Sequence, residues 1–251
     1  WTVWLPKTLP MVRGSCVFIP CHFTYPRYHQ STRPASVKWY QTYKKQNKES
    51  TREVRVLSSR PLTIGSGLNC SLRMEDVGSA TVGSYHIRVE TDGNAYSFMK
   101  NTVDFLLQES LKDPEIHGPE EMVEDTPVNI SCHVQHTCPQ SPPALSWSGP
   151  SGSVTVRHTE LADGSWEASS VLTLRPSFRD HAHSLLCQVE DEASGKPSEQ
   201  SFRLHVTYAP KMSQDSGCTL RHKDVTCCCM VDSNPLSVIS WYLPGRNVSD
   251  E

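Results

Sequence analysis

The chain has 251 residues, with 24 Lys+Arg against 27 Asp+Glu, ten Cys, 18 Pro and 13 Gly. The formal charge of −3 argues against a general nucleic-acid binder, and no apolar run is long enough to cross a bilayer as a helix. With 37% hydrophobic residues and no sustained 3.6-residue period, the chain is expected to build several small β cores. It begins at Trp1 rather than Met, so any signal peptide is expected to have been removed. Ten cysteines in a loop-rich chain favour disulfides and an oxidising compartment. Sequons at Asn69, Asn129 and Asn247 agree with a secreted glycoprotein.

Charge is unevenly spread. Residues 1–113 carry 15 Lys+Arg and 9 Asp+Glu, a balance of +6, whereas residues 114–251 carry 9 and 18, a balance of −9. A basic first unit on an acidic remainder suits attraction of an anionic partner to the tip.

In chain order, a Cys followed by a Trp in an alternating segment recurs three times: Cys21 before Trp39, Cys132 before Trp147, and Cys229 before Trp241. The three cysteines lie 111 and 97 residues apart, close to the length of one immunoglobulin sandwich. Residues 15–21, 128–132 and 225–227 read as strands of half-buried sheets, and residues 169–174 and 201–206 alternate with period two. Pro114 and the Tyr208-Ala209-Pro210 run are expected to mark joints, because Pro stops strands. The fold class is therefore all-β, as tandem immunoglobulin-like sandwiches: a V-type first domain over 1–113, a C2-type domain over 114–207, and an incomplete third over 208–251. The third unit stops at Glu251 with no Cys after its Trp, so the chain is expected to be a piece of a longer ectodomain.

The cysteines depart from an ordinary variable domain. Tyr85 holds the tyrosine-corner position, but Ile87 stands where the second bridging Cys belongs. Cys70 lies upstream on what would be strand E, so Cys21–Cys70 is the best bridge in the first unit, within one sheet. Cys132–Cys187 has the separation of an intersheet bridge in the second. Cys16 and Cys138 are each the surplus cysteine of their unit, and Cys16–Cys138 across the joint is the economical pairing. Six cysteines allow 15 arrangements, so spacing alone leaves connectivity open. Cys227, Cys228 and Cys229 are consecutive and cannot converge on one metal ion. Cys229 reads as the strand B cysteine, Cys227 shares its inward face, Cys228 faces out, and Cys218 pairs with one of them, undetermined.

These features carry a resemblance. The Cys16…Cys21 pair, Asn69-Cys70-Ser71, the Gly83-x-Tyr85-x-x-Arg88 run and the Cys132…Cys138 pair resemble the sialic-acid-binding immunoglobulin-like lectins, the Siglecs. The resemblance implies the three bridges above and a sialoside site on the front sheet of domain one. It carries Arg88 onto the arginine that holds the sialic acid carboxylate, Trp1 onto the N-terminal strand aromatic, and Tyr96 onto the strand G aromatic. Thr81 replaces the usual acidic residue of the strand F turn, Tyr96 stands where many relatives have Trp, and the region between Tyr43 and Leu68 is short; the last two bear on linkage preference.

The residues fit that chemistry. Arg88 follows the inward Ile87, so alternation points it out of the sheet. A guanidinium matches a carboxylate with two parallel hydrogen bonds, which Lys cannot reproduce. A single wet pair of this kind implies affinity on the order of 1 mM, with avidity from many copies. Trp1 is expected to pack on an apolar stretch of the sugar, and Trp4, pointing the other way, to serve the core. Alternation puts Tyr96 and Phe98 on one face; a bulge within residues 94–97 would separate them and free backbone groups of Tyr96 and Ser97 for the sugar's amide. Tyr43, just after strand C, is placed at the rim.

No nucleophile motif, paired acidic cluster or Cys–His arrangement stands out, and His181-Ala182-His183 reads as a solvated turn, so no enzyme activity, cofactor or metal is expected. The expected partners are sialylated glycans on glycoproteins or gangliosides, bound at the cell surface by a parent protein anchored as a single-pass type I membrane protein. The alternative is an immunoglobulin receptor that binds a protein partner through the same sheet.

Overall fold

The computed structural model describes residues 1–25, 36–45, 48–54, 63–64, 67–91, 93–190, 195, 197–222 and 224–242. Asn247 lies outside them. Among the described residues there is no α-helix, and the chain is a series of β-sheets, as the sequence predicts.

The first unit runs through β1 (Thr2–Trp4), β2 (Thr8–Val12), β3 (Val17–Ile19), β4 (His22–Thr24), β5 (Ser36–Lys45), β6 (Lys48–Val54), β7 (Thr63–Ile64), β8 (Gly67–Asn69), β9 (Leu72–Met74), β10 (Ser84–Thr91), β11 (Asn94–Ser97) and β12 (Val103–Gln108). One layer has the order β1-β4-β8-β7 with β3-β9 continuing it; the other is β2-β12-β10-β5-β6, with β11 added to β10. The N-terminal strand changes layers around Pro6, since β1 pairs antiparallel with β4 while β2 runs parallel to β12. Leu9, Met11, Ile19, Phe23, Trp39 and Ile87 are among the residues that close the core between the layers.

The missing intersheet disulfide has a visible substitute. Ile87 sits opposite Trp39 across the β5–β10 ladder, both with no exposed surface. The Trp39 indole N–H donates to the Cys70 carbonyl of the other layer at 2.9 Å. Cys21 and Cys70 are bridged within their own layer, with Cα atoms 4.9 Å apart and the Cys70 N–H donating to Cys21 O at 3.0 Å. Here both strands break: Pro20 has no N–H to give, and the Ser71 hydroxyl accepts from Cys21 N at 3.1 Å. Tyr85 is buried, and its hydroxyl donates to Thr81 O at 2.8 Å, a tyrosine corner. Burial pushes its phenol up to about 12.

Trp4 departs from expectation. Trp1, Val3 and Leu5 pack against the core, while Trp4 is 38% exposed and stacks on His22 with centroids 5.2 Å apart. Alternation separates Trp1 from Trp4 correctly, but pairing of Val3 with the buried Phe23 turns Trp4 outward.

The second unit contains β13 (Glu115–His117), β14 (Met122–Val123), β15 (Val128–His136), β16 (Ala144–Ser148), β17 (Ser153–Glu160), β18 (Trp166–Leu174), β19 (Ser184–Glu190) and β20 (Ser198–Arg203). Its sheets are β13-β15-β18-β17 and β16-β19-β20, joined by Cys132–Cys187 with Cα atoms 6.4 Å apart. Trp147 lies opposite Cys187 and donates its indole N–H to Ser170 Oγ at 2.9 Å.

The two units are tied. Cys16 and Cys138 are bridged with Cα atoms 5.2 Å apart, and Phe18 N donates to Thr137 O at 2.8 Å. Gly164 fills the adjoining contact at φ +84°; a Cβ there would lie 2.8 Å from Pro20 Cγ. Only Gly meets both demands without strain.

Pro210 does not stop a strand. It lies inside β21 (Val206–Met212), whose first residues pair with β14 and whose later ones pair with β24 (Val231–Asn234). The ladder shifts register between Tyr208 and Lys211, and this irregularity accommodates the missing N–H. His181 is not merely solvated either: its Nδ1 accepts from Val206 N at 3.2 Å, and its ring lies 5.2 Å from that of His205. The third unit adds a hairpin of β22 (Gly217–Arg221) and β23 (Asp224–Cys228), where Cys218 faces Cys227 across the ladder and is bridged to it. Residues 225–227 are a strand, but an exposed one, and Trp241 is 43% exposed rather than in a core. Cys228 is a free exposed thiol, and Cys229, also free, follows the strand instead of lying in it. Among the described residues no second sheet covers this hairpin, so hydrophobic alternation has nothing to act on there.

Candidate functional site

Arg88 lies in the middle of β10 on the outer face of the front sheet, opposite Lys38 of β5 and Ser97 of β11. Its Nε donates to Glu90 Oε1 at 3.0 Å and its Nη1 to Ser97 Oγ at 3.1 Å. Lys38 Nζ meets the other oxygen, Glu90 Oε2, at 3.0 Å. Hydrogen bonds from Lys38 first and then Arg88 hold the Glu90 carboxyl below the usual range, against a small opposing effect of burial. The Arg88 side chain is 40% exposed. Among the described residues its Nη2 hydrogens have no protein acceptor, so the end of the guanidinium is left to solvent or a ligand.

The neighbouring edge adds backbone groups. Phe98 N donates to Ile87 O at 2.9 Å, which sets the phase of the ladder between β10 and β11. The alternation of an antiparallel ladder then turns the peptide groups of Tyr96 toward β10 and those of Ser97 and Ala95 away from it. Ser97 thus offers both a hydroxyl and outward main-chain groups beside Arg88. Tyr96 does not offer its backbone.

The expected bulge is not within residues 94–97, where the register runs without interruption from Arg88↔Ser97 to Thr91↔Asn94. The dislocation comes after Phe98: Ser97 pairs with Arg88, but Val103 pairs with Tyr85, which leaves three extra residues in the outer strand. Tyr96 and Phe98 share a face, with rings 4.8 Å apart in an edge-to-face contact. Phe98 is buried and Tyr96 is 45% exposed because the sandwich ends between them. Trp1 stacks on Tyr96 with centroids 5.5 Å apart and planes 11° from parallel, and Tyr25 lies 5.7 Å from Trp1. Together they form an aromatic ledge at the end of the sandwich, on the core side because Tyr96 pairs with the buried Val89, while the adjacent Ser97 faces outward with Arg88.

Tyr43 is not brought to this place. It lies inside β5 rather than after it, five residues beyond Lys38, or about 17 Å along the strand. It also shares the face of Trp39 and Gln41, opposite to that of Arg88, and packs under the Arg52 guanidinium at 5.2 Å. Among the described residues no group of three or more His, Cys, Asp or Glu is arranged to hold a metal ion.

Residues 114–198 match the family model of the CD80-like C2-set immunoglobulin domain. Human myelin-associated glycoprotein is 30% identical over 98% of this chain, and human sialic acid-binding Ig-like lectin 5 is 29% identical over 82%. This chain is a homologue of the Siglecs. It spans 41% and 38% of the length of those two relatives. Among solved structures, the ectodomain of mouse nectin-like molecule 4 aligns over 92% of the chain with TM-score 0.43 and 19% identity.

On this front sheet, sequence reasoning did not single out Glu90 and Lys38, which stand beside Arg88. The signal for Glu90 was available, because a residue two beyond an outward Arg on a strand faces the same way. Lys38 had none, since its place opposite Arg88 depends on strand pairing. Of the sequons, Asn129 is exposed on β15 and accepts from Thr173 Oγ1 at 2.8 Å, while Asn69 is half-buried and its Oδ1 accepts from Ser71 N at 2.7 Å. Among the described residues no helix is long and apolar enough to cross a membrane.

Proposed function

We propose that this chain is the recognition end of a cell-surface adhesion lectin that binds sialylated glycans of glycoproteins or gangliosides, without metal or cofactor. Arg88 anchors the sialic acid carboxylate through the two Nη groups, Ser97 meets the sugar's amide with its outward peptide groups, and the Trp1–Tyr96 ledge supports an apolar stretch of the sugar. The observation that carries the reading is the Nη2 group of Arg88, which has no acceptor among the described residues, beside an exposed strand edge in a homologue of lectins. The Cys16–Cys138 bridge favours the same use, because it stiffens the tip on the domain beneath. The parent protein is then a membrane-anchored binder rather than an enzyme.

The test is binding of the whole chain, displayed in many copies, to cells before and after sialidase treatment, for wild type, Arg88→Lys and Arg88→Ala. Sialidase and Arg88→Ala should each abolish binding, and Arg88→Lys should weaken it at least about tenfold, because an ammonium loses the fork. Binding that survives both sialidase and Arg88→Ala would instead indicate a protein partner on this sheet.

A further inference from the structure

Arg88 already carries a carboxylate. Glu90 sits two residues along β10 on the same face, and its two oxygens are divided between Arg88 Nε and Lys38 Nζ, both at 3.0 Å. A guanidinium can receive a carboxylate side-on, through Nε and one Nη, or end-on through both Nη groups. Glu90 fills the Nε position, so the side-on approach is closed. Ser97 Oγ takes one Nη1 hydrogen at 3.1 Å and flanks the end that remains.

The charge count is equally specific. Arg88 and Lys38 supply two positive charges and Glu90, in direct contact with both, one negative, with Glu53 of β6 acting on Lys38 from farther off. Without Glu90 the same face would present two cations on neighbouring strands, a better match for a phosphate monoester carrying close to two negative charges than for a lone carboxylate. Lys38 holds the far oxygen of Glu90 and so prevents that carboxylate from swinging across the Nη end.

We infer that Glu90 is a positioning and specificity-determining residue that admits a single carboxylate end-on to Arg88 and disfavours more highly charged anions. The inference rests on the sialoside reading of this site, and it acts through Arg88 rather than by touching the sugar. It predicts a role that pure structural support would not have: removing the charge should change which anion is preferred.

The measurement compares wild type, Glu90→Gln and Arg88→Ala, as the whole chain, against two monovalent probes on one sugar, sialyllactose and lactose phosphate monoester. Glu90→Gln keeps the side-chain size and perturbs only half-buried ion pairs on the sheet surface, so its thermal unfolding should stay close to wild type. The expected result is a rise of at least about fivefold in affinity for the phosphorylated probe. The ratio of sialyllactose to phosphate affinity should fall about tenfold. If Glu90→Gln keeps that ratio within twofold while Arg88→Ala still abolishes sialyllactose binding, the Glu90 role is refuted and the lectin reading stands. If wild type does not bind sialyllactose, both fall together.

Discussion

The indole N–H of Trp39 in the front sheet donates to the carbonyl of Cys70 in the back sheet at 2.9 Å. The bond crosses the core at the place where an ordinary variable domain has its disulfide. Trp39→Phe should therefore cost more than its loss of volume suggests, because Cys70 O is left buried without its donor. Chemical denaturation should show a loss of about 2–4 kcal/mol, with unchanged disulfide content by peptide mapping. A loss below about 1 kcal/mol would mean that the layers are held by packing alone.

The interdomain bridge closes a loop of 122 residues and acts with the Phe18–Thr137 backbone bond. Replacing Cys16 and Cys138 together by Ser should lower stability by about 2–4 kcal/mol and broaden the range of interdomain angles seen by small-angle scattering. Non-reducing peptide mapping of wild type should recover the Cys16–Cys138 pair; a Cys16–Cys21 pair would refute it.

Tyr85 is the buried phenol of the tyrosine corner, with its ionisation raised from 10 to about 12. The native state favours the neutral form, so its contribution to stability is complete below pH 10. It is lost as pH rises from 10 to about 12. Alkaline unfolding followed by fluorescence should show this decline, and Tyr85→Phe should remove that component while costing about 1 kcal/mol at neutral pH. An identical alkaline profile in the variant would show that other groups set it.

Tyr96 and Tyr43 separate the structural reading of the site from the sequence reading. Tyr96→Ala removes the stacking partner of Trp1 and should weaken sialoside binding about three- to tenfold, on the scale of one exposed aromatic contact. Tyr43→Ala, about 17 Å along β5 from Lys38, should leave it within about twofold. Titration of both variants with one sialoside measures the pair together, and equal losses would overturn this placement.

Much of this molecule is written in local pattern. The two-residue period fixes Ile87 inward and Arg88 outward whatever the rest of the chain does, because successive side chains on a strand point to opposite faces. The Cys–Trp recurrences and the tyrosine-corner position follow from the same short-range geometry. In the third unit the pattern misled, since inward and outward have meaning only where a second layer exists, and the β22–β23 hairpin is exposed throughout.

By itself, the sequence determined an all-β chain of immunoglobulin units, a first unit without the intersheet cysteine, and an arginine on its outer face. The tertiary structure alone decided what stands across from that arginine on the neighbouring strands. Lys38 is 50 residues from Arg88 in the chain and meets Glu90 only through the β5–β10 register. Trp4 is turned to solvent by the pairing of Val3 with Phe23, and Tyr96 is left open because the core ends at Phe98. Alternation is dictated by covalent geometry within a few residues, whereas register, neighbours and the limits of a core come from contacts between distant segments.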